Sequence, residues 1–343
     1  MADLPARANL DQLRHQAKDL LRTARSGDPT ALARIRTVSD RIILAAAQLA
    51  LAREYGFATW ARLAAEVQRR EILTNRDLAR LQALLAEQPE LAQTKMEHWR
   101  DHKCVEPVGF IAMLRFDHRR LELPRDLPGT GAVARALIAA GAPVDGRPGD
   151  RETPLITAAS YGDAEVAQVL IDAGANLEAR AAPNAGGVPG GTALLHAAVF
   201  GMTAVLDLLV QSGARVHSLE EAAAAGNITG WLTPATPLQA RIRALVMAAD
   251  HQRLSVIDEL IATGTPVDAE DEQYGRQALR IAAQNGRPAS VRRLLDNGAD
   301  PNHRDPIHRR TALDWSRPEH RYLDGPGHVE VENLLAPLTT HTN

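Results

Sequence analysis

Along the C-terminal two thirds of the chain, apolar positions recur in a short fixed string: two apolar residues, two variable ones, then Gly-Ala or a close variant. It reads Leu137-Ile138…Gly141-Ala142, Leu170-Ile171…Gly174-Ala175, Leu209-Val210…Gly213-Ala214, Leu260-Ile261…Gly264-Thr265 and Leu294-Leu295…Gly298-Ala299. The glycines are spaced by 33, 39, 51 and 34 residues. Upstream of several copies stands a second string, Thr153-Pro-Leu-Ile-Thr-Ala-Ala159, Thr192-Ala-Leu-Leu-His-Ala-Ala198 and Ala278-Leu-Arg-Ile-Ala-Ala283, and Thr311-Ala-Leu-Asp-Trp315 begins another. Each string predicts a helix. Thr followed by Pro is an N-cap with proline in the first turn, where its missing N–H has no partner to lose. The Ala-Ala pair permits close approach of a neighbour, and Gly162, Gly201 and Gly286 can supply the left-handed backbone after the helix. Val166, Val169, Leu170 and Ile171 line one face of a second helix. Each unit is thus a helix pair with one face to bury, stable only when stacked on the next.

The N-terminal pattern is helical without that repeat. Asn9 caps a helix with Leu10, Leu13, Ala17, Leu20, Leu21 and Ala24 on one face. Asp28-Pro29 starts a second helix through Ile35, Ile42 to Tyr55 a third closed by Gly56, and Thr59-Trp60 a fourth. Leu78 to Leu91 predicts one more, with Leu84-Leu85 in the paired position.

The two recurring strings closely resemble the ankyrin repeat, with five good copies and two degenerate ones across about 105–336. The string LAREYGFATWARL is similar to the helical module that precedes the repeats in many bacterial ankyrin proteins. The resemblance implies an all-α fold, an ankyrin-repeat solenoid with an N-terminal helical cap: a module over 1–72, a degenerate half-repeat over 73–104 and repeats over 105–338. It also implies protein–protein recognition by side chains displayed on rigid helices. One departure is visible. The usual His of the family's TPLH string is replaced by Ile156, Leu195, Val246 and Arg280, which implies that the neighbouring turns are held in another way.

Composition narrows the function. Aromatic residues are only 3% of the 343, which favours close-packed helices over a sandwich or barrel. The net charge of −3 divides into +5 over residues 1–70 and −8 over the remainder, which argues against nucleic acid as the partner, except through the basic N-terminal block. The longest nearly apolar run, Ile42 to Ala52, is too short to cross a membrane, and the chain starts without the apolar stretch of a signal peptide. With Cys104 as the single cysteine there is no internal disulfide. These features lead to the expectation of a cytoplasmic protein with a protein partner, no membrane association and no cofactor.

Departures from the period mark where chemistry is to be sought. Residues 114–132 interrupt the first repeat, and Asp117-His118 within them is a candidate for an anion or metal, set against a plain charged loop. Residues 181–191 form a glycine-rich finger that could act as a lid. The 51-residue step is about 15 short of two repeats, and the shortened copy carries Glu220 and Glu221 at positions where the preceding copy has Leu195 and His196. At least one of these acids faces the core. Glu220, Glu221 and His196, with His217 and Trp231 nearby, are therefore the candidate acid–base residues of an alternative reading: an enzyme or small-molecule binder with its site at 196–231. Set against that, His196 bonds a neighbouring carbonyl and the acids are solvated. His98 and His102, four apart with Glu97, Asp101 and Cys104 nearby, have the spacing of metal ligands on a helix, but no HExxH or HxH string occurs, and no metal is expected. Near the C-terminus, Trp315, Arg317, His320 and Tyr322 combine the residue types that dominate binding hot spots; against this stands a final capping repeat.

Overall fold

The structure, a computed structural model, describes residues 4–97, 105–124, 127–272, 275–321 and 325–340. It is all-helical: among the described residues the only extended pairing is two isolated β-bridges, Met96 with Val105 and Glu270 with Gln277. Backbone contacts divide the chain into two units, one of residues 1–158 and 165–175, the other of residues 159–164 and 176–343.

The first unit opens with four helices, α1 (Leu10–Arg25), α2 (Pro29–Arg36), α3 (Leu44–Glu54) and α4 (Trp60–Asn75). Their starts are chemical. Asn9 accepts from the amides of Asp11 and Gln12, Asp28 from Ala31 ahead of Pro29, and Thr59 from Arg62. Leu13, Ala17, Leu51, Phe57, Leu63 and Val67 bury one core, and Leu20, Ala24, Ile35, Ala46 and Ala50 another.

The helix predicted over Leu78 to Leu91 is shorter. It runs as α5 (Leu78–Glu87) and gives way to a 3-10 turn at Pro89–Ala92. Pro89 cannot donate a helical hydrogen bond and pushes Gln88 out of the helical region, to φ −140° and ψ 70°. A buried charge cluster ties this segment to α4: Glu66 pairs with Arg69 and Arg70, and Arg69 donates to the carbonyls of Leu91, Thr94 and Lys95. Next come α6 (Pro107–Asp117), α7 (Thr130–Ala139), α8 (Pro154–Tyr161) and α9 (Ala164–Asp172). The Glu165 carboxylate accepts from the amides of Gly129 and Gly131 at 3.0 Å each, so an acid on α9 caps α7.

The second unit is built of helix pairs. The inner helices are α10 (Ala193–Val199), α12 (Leu219–Ala225), α13 (Leu238–Asp250), α15 (Ala278–Gln284) and α17 (Ala312–Ser316). The outer ones are α11 (Thr203–Gln211), α14 (Leu254–Ala262), α16 (Pro288–Asp296) and α18 (Gly327–Leu335). The short step has a simple cause: α12 has no outer partner, and the chain runs from Gly226 through a loop anchored by buried Ile228 straight into α13. The Ala-Ala positions 197–198, 248–249 and 282–283 are all fully buried or nearly so. Gly201 shows what its glycine is for. It has φ +70°, and a Cβ there would lie 2.8 Å from an Asp250 carboxylate oxygen.

Candidate functional site

Of the residues expected at the shortened repeat, His217 and Glu221 bond each other, whereas His196 and Glu220 each have other partners. His196 is fully buried. Its Nε2 lies 3.1 Å from the carbonyl oxygen of Val188, which can only accept, so the proton sits on Nε2 and Nδ1 accepts from Ser160 Oγ at 2.8 Å. Burial holds its pKa below the ordinary histidine value. Val188 belongs to the glycine-rich finger, so His196 staples that loop down. Backbone bonds from Ala181 to Gly191 and from Gly190 to Ala181 close its base. The segment expected as a lid is therefore a fastened loop.

Glu221 is 2% exposed, as an acid facing inward. It stands three residues after the N-cap Ser218, whose Oγ accepts from the Glu221 amide at 3.1 Å, while its own carboxylate accepts from the amide of His217. This is a variant of the reciprocal capping arrangement. Desolvation raises the Glu221 pKa, opposed by those amide bonds. Glu220 points elsewhere, to Arg243 at 2.7 Å. His217 Nε2 meets Glu178 at 2.8 Å, and Glu178 also accepts from the Arg215 amide. The structure thus joins Glu178, His217 and Glu221 in a loop-bracing chain. His196 bonds none of these acids. Trp231 is exposed in the loop after α12.

In the first interruption, Asp117 is the last residue of α6, buried and bridged to Arg120 at 3.2 Å, and His118 Nδ1 lies 2.9 Å from the Arg115 carbonyl. Buried and ion-paired, Asp117 is not a solvated loop ligand. His98, Asp101, His102, Cys104 and Tyr322 lie outside the described residues.

The richest constellation forms around Trp315. The indole N–H donates to Asp305 at 3.1 Å. The guanidinium carbons of Arg310 and Arg280 lie 5.2 and 5.5 Å from the ring centroid, within cation–π range. His308 and His320 meet the ring edge-on at 5.4 and 5.7 Å. Arg317 is exposed at the end of α17. Beside Trp315 opens a cavity of about 400 Å³, walled by the C-terminal ends of α10, α13 and α15 through Phe200, Asp250, Ile281 and Asn285. Arg280, Ile307 and His308 complete its rim. Ile307 is 72% exposed, an aliphatic side chain at the tip of the 304–310 loop. That tip is rigidly made: Asp305, itself buried, accepts from the amides of Ile307, His308 and Arg310 at 3.1, 2.6 and 3.0 Å.

The first unit has a second cavity, of about 320 Å³, between Lys95, Gly109, Asp150 and Thr157. Glu106 at its edge is buried beside Arg147 at 3.0 Å, and desolvation raises its pKa.

A model of the family described as "Ankyrin repeats (3 copies)" matches residues 129–220 and 219–305, together a little over half of the chain. The chain belongs to the ankyrin-repeat family. It is similar to the Caenorhabditis elegans "Ankyrin repeat and KH domain-containing protein mask-1", 28% identical over 220 residues, which is 60% of this chain and 8% of that protein. It is 30% identical over 145 residues to the Danio rerio "Ankyrin repeat and SAM domain-containing protein 6", 39% of this chain and 20% of that protein. A 100-residue stretch, 28% of this chain and 4% of the relative, is 34% identical to the human "Neurogenic locus notch homolog protein 2". The chain therefore spans a fifth or less of the length of these relatives. Among solved structures, the human ASB11 ankyrin repeat domain aligns at 21% identity and a TM-score of 0.31, covering 70% of this chain and 100% of that one.

Within these ankyrin repeats, the sequence pattern pointed to Trp315 and His320 but not to Arg310, Ile307 or the loop between them. The signal was there: Asp305-Pro306 is a turn former, and Ile307 stands alone among charged residues in a tip, where an aliphatic side chain has nothing of its own to pack on. Arg280 was visible only as a substitution in the TPLH string. Its side chain replaces the usual histidine contact to a turn by donating from Nη2 to the Gly275 carbonyl at 2.6 Å.

Proposed function

We propose that this ankyrin-repeat chain is a protein-interaction module, and that its second unit recognises a partner protein through the cavity beside Trp315. The observation that carries the reading is Ile307, held 72% exposed by a tip whose amides are all directed onto one buried aspartate, next to a half-buried indole. An exposed aliphatic residue on a rigid loop adds nothing to folding and gains its burial only when a partner covers it. The adjoining walls are preformed, since Asp250 and Asn285 are bonded to each other at 2.8 Å and Arg287 lies 3.4 Å from the same carboxylate oxygen. Binding then costs little reorganisation.

The test is retention of proteins from a lysate of the producing cell by the wild-type chain and by Ile307→Asp. The substituted residue is surface-exposed, so the variant folds as the wild type does. The reading requires a stoichiometric partner held by the wild type and lost by the variant. The same proteins retained by both would overturn it.

A further inference from the structure

Several arginines of the second unit are neutralised. Arg243, Arg253, Arg287, Arg292, Arg293 and Arg321 each face a carboxylate. Arg280 and Arg310 are the contrast. Both guanidinium groups lie over the Trp315 ring, and among the described residues neither forms an ion pair. Arg280 is half-buried, its Nε is out of contact with water, and that nitrogen has no acceptor at all. The acid that acts most strongly on it, Asp305, is already held by three backbone amides and the indole N–H. Desolvation depresses the Arg280 pKa despite Asp305, Glu270 and Asp271 around it. Two like charges drawn to one ring, one of them with a buried N–H that has no acceptor, form an arrangement that an incoming anion would stabilise. At the end of the helix that carries Arg280, Asn285 is 7% exposed, with its amide N–H₂ donating to Asp250 and its Oδ1 left without a donor. At the cavity one guanidinium nitrogen thus lacks an acceptor and one amide oxygen lacks a donor.

Building on the interaction-module reading, we propose that the cavity takes the acidic side chain of an extended partner segment: an Asp or Glu whose carboxylate reaches Arg280 and Arg310 over Trp315. A neighbouring aliphatic or aromatic residue of that segment covers Ile307, and a backbone N–H meets Asn285 Oδ1. A peptide is the occupant because it supplies a carboxylate, an N–H and an apolar side chain at adjacent positions.

The experiment is panning of a displayed random-peptide library against the full chain, followed by affinity measurement on the enriched peptides. The proposal requires enriched sequences with Asp or Glu beside Leu, Ile, Phe or Trp. It also requires that Glu→Gln or Asp→Asn in the peptide weakens binding by about tenfold or more, as does Arg310→Gln in the protein. Arg310 stands part-buried on the 304–310 loop, so this variant keeps the proposal testable if Arg280→Gln fails to fold. Enriched peptides that lack an acid, or whose amide twin binds equally, would overturn the proposal. If such neutral peptides are lost with Ile307→Asp, the interaction-module reading stands without it. A library that enriches nothing removes both.

Discussion

Gly201 ends α10 where the chain must turn under Asp250, and replacing it with alanine tests how the repeats of the second unit are held together. Two costs are separable. An alanine at φ +70° bears the strain of the left-handed region, about 1–2 kcal/mol. Its Cβ would also stand 2.8 and 2.9 Å from the two Asp250 carboxylate oxygens. That carboxylate is short, 4% exposed, and fixed by Asn285, while Arg287 reaches past it to the Gly201 carbonyl. Displacing it weakens a buried charge-assisted hydrogen bond, a further ~1.5–3 kcal/mol. Gly264 is the control: its φ is +84° and a Cβ there meets nothing within 4 Å. Gly264→Ala is thus expected to cost the strain alone, and Gly201→Ala about 2 kcal/mol more, which separates their urea midpoints by roughly 1 M. Both are measured by urea titration of the full chain followed by circular dichroism. In an Asp250→Ala background the excess at Gly201 should vanish. Equal losses at the two glycines, or an excess that survives removal of Asp250, would refute the close-approach argument.

Three further outcomes are expected. His251 is buried and neutral, with Nε2 2.9 Å from the Ala198 carbonyl and Nδ1 2.9 Å from Thr203 Oγ1, and desolvation puts its folded pKa below the ordinary 6.5. Its stabilising effect is therefore present above pH 6.5 and lost as pH falls below that value. Urea midpoints from about pH 8 to about pH 5 should fall more steeply for wild type than for His251→Gln, by up to about 1.4 kcal/mol per pH unit. Glu221→Gln keeps an acceptor for the His217 amide and removes a desolvated charge, so at neutral pH it should leave stability unchanged or raised. Glu221→Ala should lose about 1 kcal/mol with the cap; equal losses in both would refute the capping role. His196→Ala should free the 181–191 loop, seen as roughly five- to tenfold faster hydrogen exchange at the Ala181, Gly190 and Gly191 amides, and unchanged exchange would mean the staple is idle.

The helix pairs were legible because their signals are local. Thr192, Thr311 and Asp28 cap the helices they were expected to start, and the paired apolar residues and Gly-Ala endings fall where the outer helices run. The candidate site was legible only in part. Trp315 could be singled out by type, whereas the convergence of Arg280 and Arg310 on its ring depends on a helix and a loop separated by thirty residues of chain. Glu221 shows the opposite difficulty. An inward acid was expected from a register that set Glu221 opposite His196; the matching N-caps Thr192 and Ser218 set it opposite Leu195 instead, and Ser218-Leu-Glu-Glu221 is also a capping string. The local hydrogen bonds decide between an acid available for chemistry and one used at a helix terminus.

The shortened repeat is explained by what replaces its outer helix. Without that helix the last carbonyls of α12 and the flank of α11 would lie open. The turn after α13 occupies the place: Arg253 donates from Nε to the Ala224 carbonyl at 2.7 Å and pairs with Asp207 on α11, while His251 bonds both the end of α10 and the start of α11. Two polar side chains thus link α13 directly to a helix pair that an intact repeat would hold at a distance. The same linkage brings Asp250 against Gly201, and with it the end of α13 against the end of α10. Those two helix ends, with Phe200 and Asp250, form walls of the cavity beside Trp315. Loss of an outer helix, tolerated because the Ala-Ala faces of the inner helices still stack, is therefore what draws these cavity walls together. Restoring a full-length outer helix after α12 should separate them.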